Sequence, residues 1–184
     1  MTCDHVQDEQ VEVIDGAGRT VGVASRGRVR SENLRHRAVA LIVHDGRGRV
    51  FVHQRSADKD LWPRAFDPGV GGIVAAGESV AAAAKRELAE ELGITGVGLR
   101  RRFVHHVDRP DARALLTVYD ACWSGPVIVQ TSEVAWGMWM GVPVVLARLA
   151  ALGPGGRTGP HPAVVPDGFG VFRRWIDEGR MGRG

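Results

Sequence analysis

Apolar residues alternate with polar ones at Val11 and Val13 and again at Val21 and Val23, on either side of Asp15-Gly16-Ala17-Gly18. A period of two interrupted by glycines predicts an opening β-hairpin. Residues 25–35, rich in Arg and Ser, carry no such period and read as a connector. Two further apolar runs, Ala38 to Val43 and Val50 to His53, flank Asp45-Gly46-Arg47-Gly48 and predict a second hairpin around a tight turn. Trp62-Pro63 and Asp67-Pro68-Gly69 then predict a loop, because proline has no N–H for a strand ladder.

At Ser79 the period changes. Ser79 to Leu92 joins a capping serine to an alanine-rich interior, and Gly93 ends it, so a helix is predicted there. Strands are predicted at about 98–107, 114–122 and 134–140, and a helix near 143–151. A Gly/Pro-rich loop at 153–162 and an apolar segment at 167–177 close the chain. Mixed strands with a few separated helices predict an α+β or α/β sandwich.

Composition narrows the function classes. At 184 residues the chain has the size of a single domain, 1–184, with about the first 35 residues as an N-terminal hairpin extension. Its 24 basic and 21 acidic groups leave only +3, too weak for a nucleic-acid footprint. The only lysines are Lys59 and Lys85, so 24 − 2 leaves 22 arginines, a supply of phosphate donors that codon bias could equally produce. Two cysteines, Cys3 and Cys122, make neither a disulfide framework nor a four-ligand zinc site, so a cytoplasmic, reducing location is expected. The longest apolar stretch, from Met138 to Leu152, is broken by Arg148, and neither a signal peptide nor a membrane span is expected.

The candidate chemistry lies between Gly72 and Ile94. Four of the nine glutamates, Glu78, Glu87, Glu90 and Glu91, fall within fourteen residues of one another. With Glu87 as origin, Glu90 lies at about −60° and Glu91 at about +40° around the helix, so three carboxylates share one face. Ala81, Ala84, Leu88 and Leu92 fall between about 60° and 140° and form an apolar stripe to press on a sheet. Carboxylates this close repel one another. Arg86 can offset part of that charge, and a hard divalent cation with oxygen ligands, such as magnesium, fits such a face, but taken alone the segment also reads as a solvated helix face with Arg86 as an i,i+4 partner. Gly72 and Gly77 let the backbone bend ahead of the helix, so that a main-chain carbonyl can also reach the metal.

The segment holds Gly72, five residues, Glu78, seven residues, Arg86-Glu87-Leu88-Ala89-Glu90-Glu91, then Gly93 and Ile94. This resembles the box of the Nudix hydrolases at every fixed position, with the box spanning 72–94. The resemblance implies an α/β/α sandwich around a mixed β-sheet and hydrolysis of a diphosphate linked to another group, as in a nucleoside diphosphate derivative or a similar small molecule. It implies Mg2+ or Mn2+ bound by Glu87, Glu90, Glu91 and a backbone oxygen of Gly72. In that family Glu90 serves as ligand or base, while Glu78 and Arg86 support the cluster. Glu133, ahead of Trp136 and Trp139, falls where many members carry a further acid that assists the metal or the base.

Outside the box, Leu34-Arg35-His36-Arg37, Gln54-Arg55-Ser56 and Lys59-Asp60-x-Trp62-Pro63 resemble the Nudix branch that includes type 1 isopentenyl diphosphate isomerase. Isomerase chemistry is therefore a rival reading. Its catalytic cysteine would fall at Val70, two of its metal histidines at Val29 and Gly72, and its later acid in Arg113-Ala114-Leu115-Leu116; only His36 matches. A non-catalytic nucleotide-binding module is a third reading. Arg55 and Lys59 are candidates for the substrate's phosphates. His105 and His106 are expected to be structural, Arg100-Arg101-Arg102 a solvated strand edge, and Trp62 and Phe66 core. A small-molecule diphosphate is the expected partner, with a homodimer possible through 134–140 and the C-terminal helix.

Overall fold

The strand His36–His44, β3, organises the molecule, and its sequence shows why: every other residue faces a different apolar layer. The structure, a computed structural model, describes residues 7–152, 157–158 and 161–181. In chain order the elements are β1 (Gln10–Ile14), β2 (Thr20–Ser25), α1 (Arg26–Ser31), β3, β4 (Arg49–Arg55), β5 (Phe66–Asp67), α2 (Val80–Leu92), β6 (Leu99–Arg109), β7 (Ala112–Cys122), β8 (Val134–Gly141), α3 (Val142–Leu152), β9 (Arg157–Thr158), β10 (His161–Pro162) and α4 (Pro166–Met181). The predicted loop at 153–162 lies largely outside the described residues.

β3 runs parallel to β7, from His36 opposite Ala114 to His44 opposite Cys122, and β6 continues the sheet antiparallel to β7. β1 touches β3 at Val13 opposite His36 and carries β2 as the edge. β4 carries β5 and β8. One parallel pair among antiparallel ones makes this eight-stranded sheet mixed. On one face, Val39, Leu41 and Val43 pack with Ala84, Leu88 and Leu92 of α2. On the other, Ile42, Val50 and Val52 pack with Val145 and Leu149 of α3 and Phe172 of α4. The result is the α/β/α sandwich implied by the sequence.

β3 and β4 pair only at their hairpin end, His44 opposite Val50, and then diverge. The turn is held by Asp45, whose carboxylate accepts the N–H groups of Arg47 at 2.8 Å and Arg49 at 3.0 Å and the Arg49 Nε–H at 2.6 Å. Residues 69–74 fill the gap left by the divergence. Val70 exchanges both backbone hydrogen bonds with Leu41 (2.7 and 3.0 Å), Val39 N–H donates to the Gly72 carbonyl at 2.9 Å, and Val74 N–H to that of Arg37 at 3.0 Å. The approach is too close for side chains: a Cβ on Gly71 would lie 2.0 Å from the Val39 carbonyl oxygen.

Several local expectations are corrected. The connector contains α1, nucleated by the Ser25 hydroxyl accepting the Arg28 N–H and anchored by buried Val29. A six-residue helix with one buried side chain has no period to detect. The loop contains β5, because Phe66 is tied to Ala163 and Val165, contacts almost a hundred residues away. Ala81 is exposed, and Ala83 takes its place beside Ala84. The Arg100–Arg102 strand edge is not simply solvated: Arg100 and Arg102 both bond to buried Asp120, which also accepts the Trp175 indole N–H. Phe66 is core as expected, whereas Trp62 is half-buried, with its indole N–H on Asp111. No described helix is long and apolar enough to cross a membrane.

Two outcomes follow. Gly71→Ala should lower stability by about 3 kcal/mol or more in thermal denaturation, since a backbone clash cannot be relieved by a side-chain shift. Gly16→Ala, with nothing within 4 Å of the added Cβ, should stay close to wild type. Asp45 is held at about 2, below its ordinary 3.8, chiefly by the Arg49 hydrogen bond. A depressed carboxylate stabilises the fold above its unfolded value and loses that contribution as pH falls through the folded one. Asp45→Asn should therefore be less stable at neutral pH, and the gap should close between about pH 4 and pH 2 in pH-dependent denaturation.

Candidate active site

Helix α2 starts at Ser79, whose hydroxyl accepts the Ala82 N–H at 3.1 Å, and stops at Gly93 in the left-handed region. Its burial order follows the helical angles. Glu91, nearest the apolar stripe, is 3 % exposed, the Glu87 carboxylate 12 % and the Glu90 carboxylate, farthest from the stripe, 52 %. The carboxylates are therefore not equivalent, although all three lie on one helix.

Arg86 is the hub on one side of them. Its guanidinium donates to both oxygens of Glu78 (3.0 and 3.1 Å), to Glu87 at 2.7 Å, to Glu90 at 3.1 Å and to the Ile73 carbonyl at 3.1 Å. Glu78 in turn accepts the Ala75 N–H at 3.1 Å, so one arginine ties the glycine-rich loop to the helix. The Arg86 hydrogen bond holds Glu78 below the usual carboxylate range. Glu87 moves the other way, pushed up to about 7 by burial, with the Arg86 charge opposing and Glu91 and Glu90 reinforcing the shift. Its carboxylate lies against the backbone of Gly72, where an added Cβ would be 2.3 Å from Oε1. Gly72 is thus needed for close approach, and Gly77, at φ 77°, for the bend.

Lys59 is the hub on the other side. Its ammonium is 3.5 Å from Glu91 and hydrogen-bonded to Glu133. Glu133 reaches this position because its carbonyl accepts the Ser56 N–H, while Gln130 N–H donates to the carbonyl of Glu91 at the end of α2. Burial pushes Glu91 up, opposed by the charges of Lys59 and Arg55, and pushes Lys59 down.

Behind Gly72 opens a cavity of about 150 Å3. Ala38, Ala40, Ala114, Leu116, Trp62 and Phe172 supply apolar wall, and Arg30, His36, Arg55 and Asp67 supply polar groups. Asp67 is pushed up to about 6 by burial. His36 is held down to about 4 by burial; its Nδ1–H donates to the Leu34 carbonyl at 2.9 Å, which leaves Nε2 unprotonated. His53, 1 % exposed beside β5, has an unpartnered Nδ1 and is held down to about 3, again by burial.

The structure brings Glu78, Arg86, Glu87, Glu90 and Gly72 together in one network and Lys59, Glu91 and Glu133 in a second. Among the described residues no three Asp, Glu, His or Cys side chains already converge as ligands. The cause is electrostatic: Arg86 draws Glu87 and Glu90 to itself, Lys59 holds Glu91, and the Gly72 carbonyl accepts Val39. The sequence-derived set Gly72, Glu87, Glu90 and Glu91 is adjacent but not gathered. Lys59 is turned to carboxylates rather than open to a phosphate, while Arg55 lines the cavity with its Nε–H on the Leu61 carbonyl at 3.2 Å. His105 lies 3.6 Å from Asp167 on the opposite sheet face to α2, a structural position. Arg30, Asp67 and His53 escaped the sequence: Arg30 sat in an aperiodic stretch, Asp67 read as a turn residue, and His53 as a strand residue.

Removing the ammonium should expose what it compensates. Lys59→Met leaves buried Glu91 without its paired ammonium, with only the charge of Arg55 acting on it, and should cost about 3 kcal/mol at neutral pH in denaturant unfolding. The loss should shrink as acid protonates Glu91, whose folded value is raised.

A family model for the NUDIX domain matches residues 34–156. The chain is 38% identical over 170 residues to an uncharacterised Nudix hydrolase of Streptomyces coelicolor, covering 91% of this chain and 88% of that one. It is 33% identical over 140 residues to the uncharacterised Nudix hydrolase YfcD of Escherichia coli, with 76% and 78% covered. Among solved structures, DR0079 of Deinococcus radiodurans superimposes with a TM-score of 0.73 at 25% identity, covering 90% of this chain and 98% of that one. With the fold, the intact box and these relatives in agreement, the chain belongs to the Nudix family and is a Nudix hydrolase.

Proposed function

We propose that the enzyme cleaves the diphosphate linkage of a nucleoside diphosphate derivative or a similar small molecule, with magnesium or manganese held by Glu87, Glu90, Glu91 and the Gly72 carbonyl. The observation that carries this is the Glu87 carboxylate packed against the Gly72 backbone, the wall shared by the acidic helix face and the cavity. The donor set fits a hard divalent cation. All of it is oxygen, and Glu87 and Glu91 are buried acids whose ionised form is disfavoured, a state that a divalent charge relieves. When bound, the cation would neutralise charge on the phosphoryl oxygens and supply a nucleophile at neutral pH.

The chain's own residues do the rest. Arg86 and Glu78 hold the box loop on α2, and Arg86 orients the carboxylates of Glu87 and Glu90. Glu90, the most exposed of the three, is the best placed to accept a proton from water. Glu133 shares Lys59 with Glu91 and can take that role if Glu90 remains a ligand. Arg55 faces the cavity and would contact a phosphate there, while the apolar wall takes the attached group. The isomerase reading loses support, because Val70 and Val29 are core residues, 5 % and 1 % exposed, in apolar clusters.

The test is turnover of a panel of nucleoside diphosphate derivatives and prenyl diphosphates with each metal, joined to metal titration by calorimetry. Glu87→Gln and Glu91→Gln should each weaken magnesium binding and lower kcat by about 10³, near 4 kcal/mol in the barrier. Glu90→Gln should lose activity with metal affinity nearly intact if it is the base. Glu87→Gln should fold at least as stably as wild type without metal, since it removes a carboxylate that burial disfavours. Wild-type turnover and metal affinity in both Glu87→Gln and Glu91→Gln would sink the assignment.

A further inference from the structure

The matched family region begins at residue 34, yet α1, which precedes it, lines the cavity through Arg30. We propose that Arg30 of α1 and Arg55 of β4 form an anion subsite that grips the phosphoryl group of the substrate not attacked in the reaction. This rests on the diphosphate-hydrolase reading above and deepens it.

Four cations, Arg26, Arg30, Arg55 and Lys59, sit beside five carboxylates, Glu9, Asp60, Asp67, Glu91 and Glu133, yet two of the cations keep unpaired donors among the described residues. Lys59 is spent on Glu91 and Glu133, and Arg26 on Glu9 at 3.2 Å, with its own Nε buried and unpartnered. Arg55 donates only to a neutral carbonyl and makes no ion pair among the described residues. Arg30 donates from Nε to Asp60 at 3.2 Å, while neither of its Nη groups has a hydrogen-bond partner among the described residues. Burial disfavours the charged Arg30, Asp60 opposes that and the like charges of Arg26 and Arg55 reinforce it, but a guanidinium does not shed its proton at neutral pH. A bound anion on the unpaired Nη groups would add to the relief that Asp60 gives. His36, neutral beside it, does not compete for that anion.

The geometry is also fixed in advance. Val29, next to Arg30, is 1 % exposed and packs in one apolar cluster with Ile73, next to Gly72. The arginine is therefore held in register with the box loop by neighbouring core residues, as a two-point clamp on a diphosphate requires. Guanidinium forks suit phosphoryl oxygens, two N–H groups to two oxygens.

The test uses the full chain and methylenediphosphonate, a non-hydrolysable diphosphate, with magnesium, titrated by calorimetry beside thermal melts and turnover. Arg30→Gln and Arg55→Gln should each weaken binding about tenfold, the effect of losing a charge-assisted hydrogen bond, and should raise KM with little change in kcat. Arg28→Gln, on the same helix but exposed and paired with Glu32, should bind as wild type. Asp60→Asn separates gripping from scaffolding. If Arg30 grips the ligand, freeing it from Asp60 leaves binding intact or tighter; if Arg30 merely anchors residue 60, Asp60→Asn and Arg30→Gln fall together and the subsite is refuted. No detectable binding to wild type, or wild-type binding in Arg30→Gln, also refutes it. Turnover without dependence on Arg30 leaves the hydrolase reading standing alone, whereas Arg30-dependent binding without turnover leaves the subsite and removes the hydrolase reading.

Discussion

The backbone of residues 69–74 paired against β3 is the interaction on which the rest of the molecule depends. β3 and β4 part after a single pair at their hairpin end, and an open sheet interior would leave N–H and C=O groups unsatisfied. The Val70 and Gly72 hydrogen bonds to Leu41 and Val39 close that gap and fix where the loop leads into α2. They also leave no space for side chains at Gly71 and Gly72, which is why a cavity can open on one side of the loop and a carboxylate can press on the other. Site and fold thus rest on the same backbone pairing.

That placement has an electrostatic cost, because α2 must turn Glu87 and Glu91 inward to keep Leu88 and Leu92 on the sheet. A pair of protein cations offsets it: Arg86 for Glu78, Glu87 and Glu90, and Lys59 for Glu91 and Glu133. A divalent ion added to this arrangement competes with both. Its net affinity is consequently the difference between new metal–oxygen contacts and the ion pairs given up, and Arg86, held by five hydrogen bonds, yields less readily than Lys59. Glu91, paired with a single, largely buried ammonium, would give up less than Glu87 on moving to a metal.

What was legible in the sequence was what local chemistry writes there. The Ser79 cap, the Gly93 stop and the turn at Asp45 each carry their own hydrogen-bonding logic, and the angles of Glu87, Glu90 and Glu91 around the helix anticipated their order of burial. What escaped was set by distant partners. β5 exists because Phe66 meets Ala163 and Val165, and Asp120 gathers Arg100, Arg102 and Trp175 from two elements that only the fold brings together. α1 has a capping serine like α2 but a single buried residue, so its helical face leaves no periodic trace. Of the carboxylates expected to hold a metal, Glu87 and Glu90 lie on Arg86 and Glu91 on Lys59, an arrangement that a spacing rule misses because it counts carboxylates and omits the lysine that arrives from the loop after β4.

The isomerase-like surroundings can be weighed by what those positions now do. Val70 is hydrogen-bonded at both N–H and C=O to Leu41 and packs in one cluster with Leu88 and Val74, so an aliphatic side chain stands where the isomerase cysteine would fall. Val29 fastens α1 to Ile73, and Gly72 leaves room for Glu87. An imidazole at Val29 would unpack the cluster that fastens α1, and one at Gly72 would evict the Glu87 carboxylate from the loop. These positions are therefore committed, through packing, to the core and to the acidic helix face of α2.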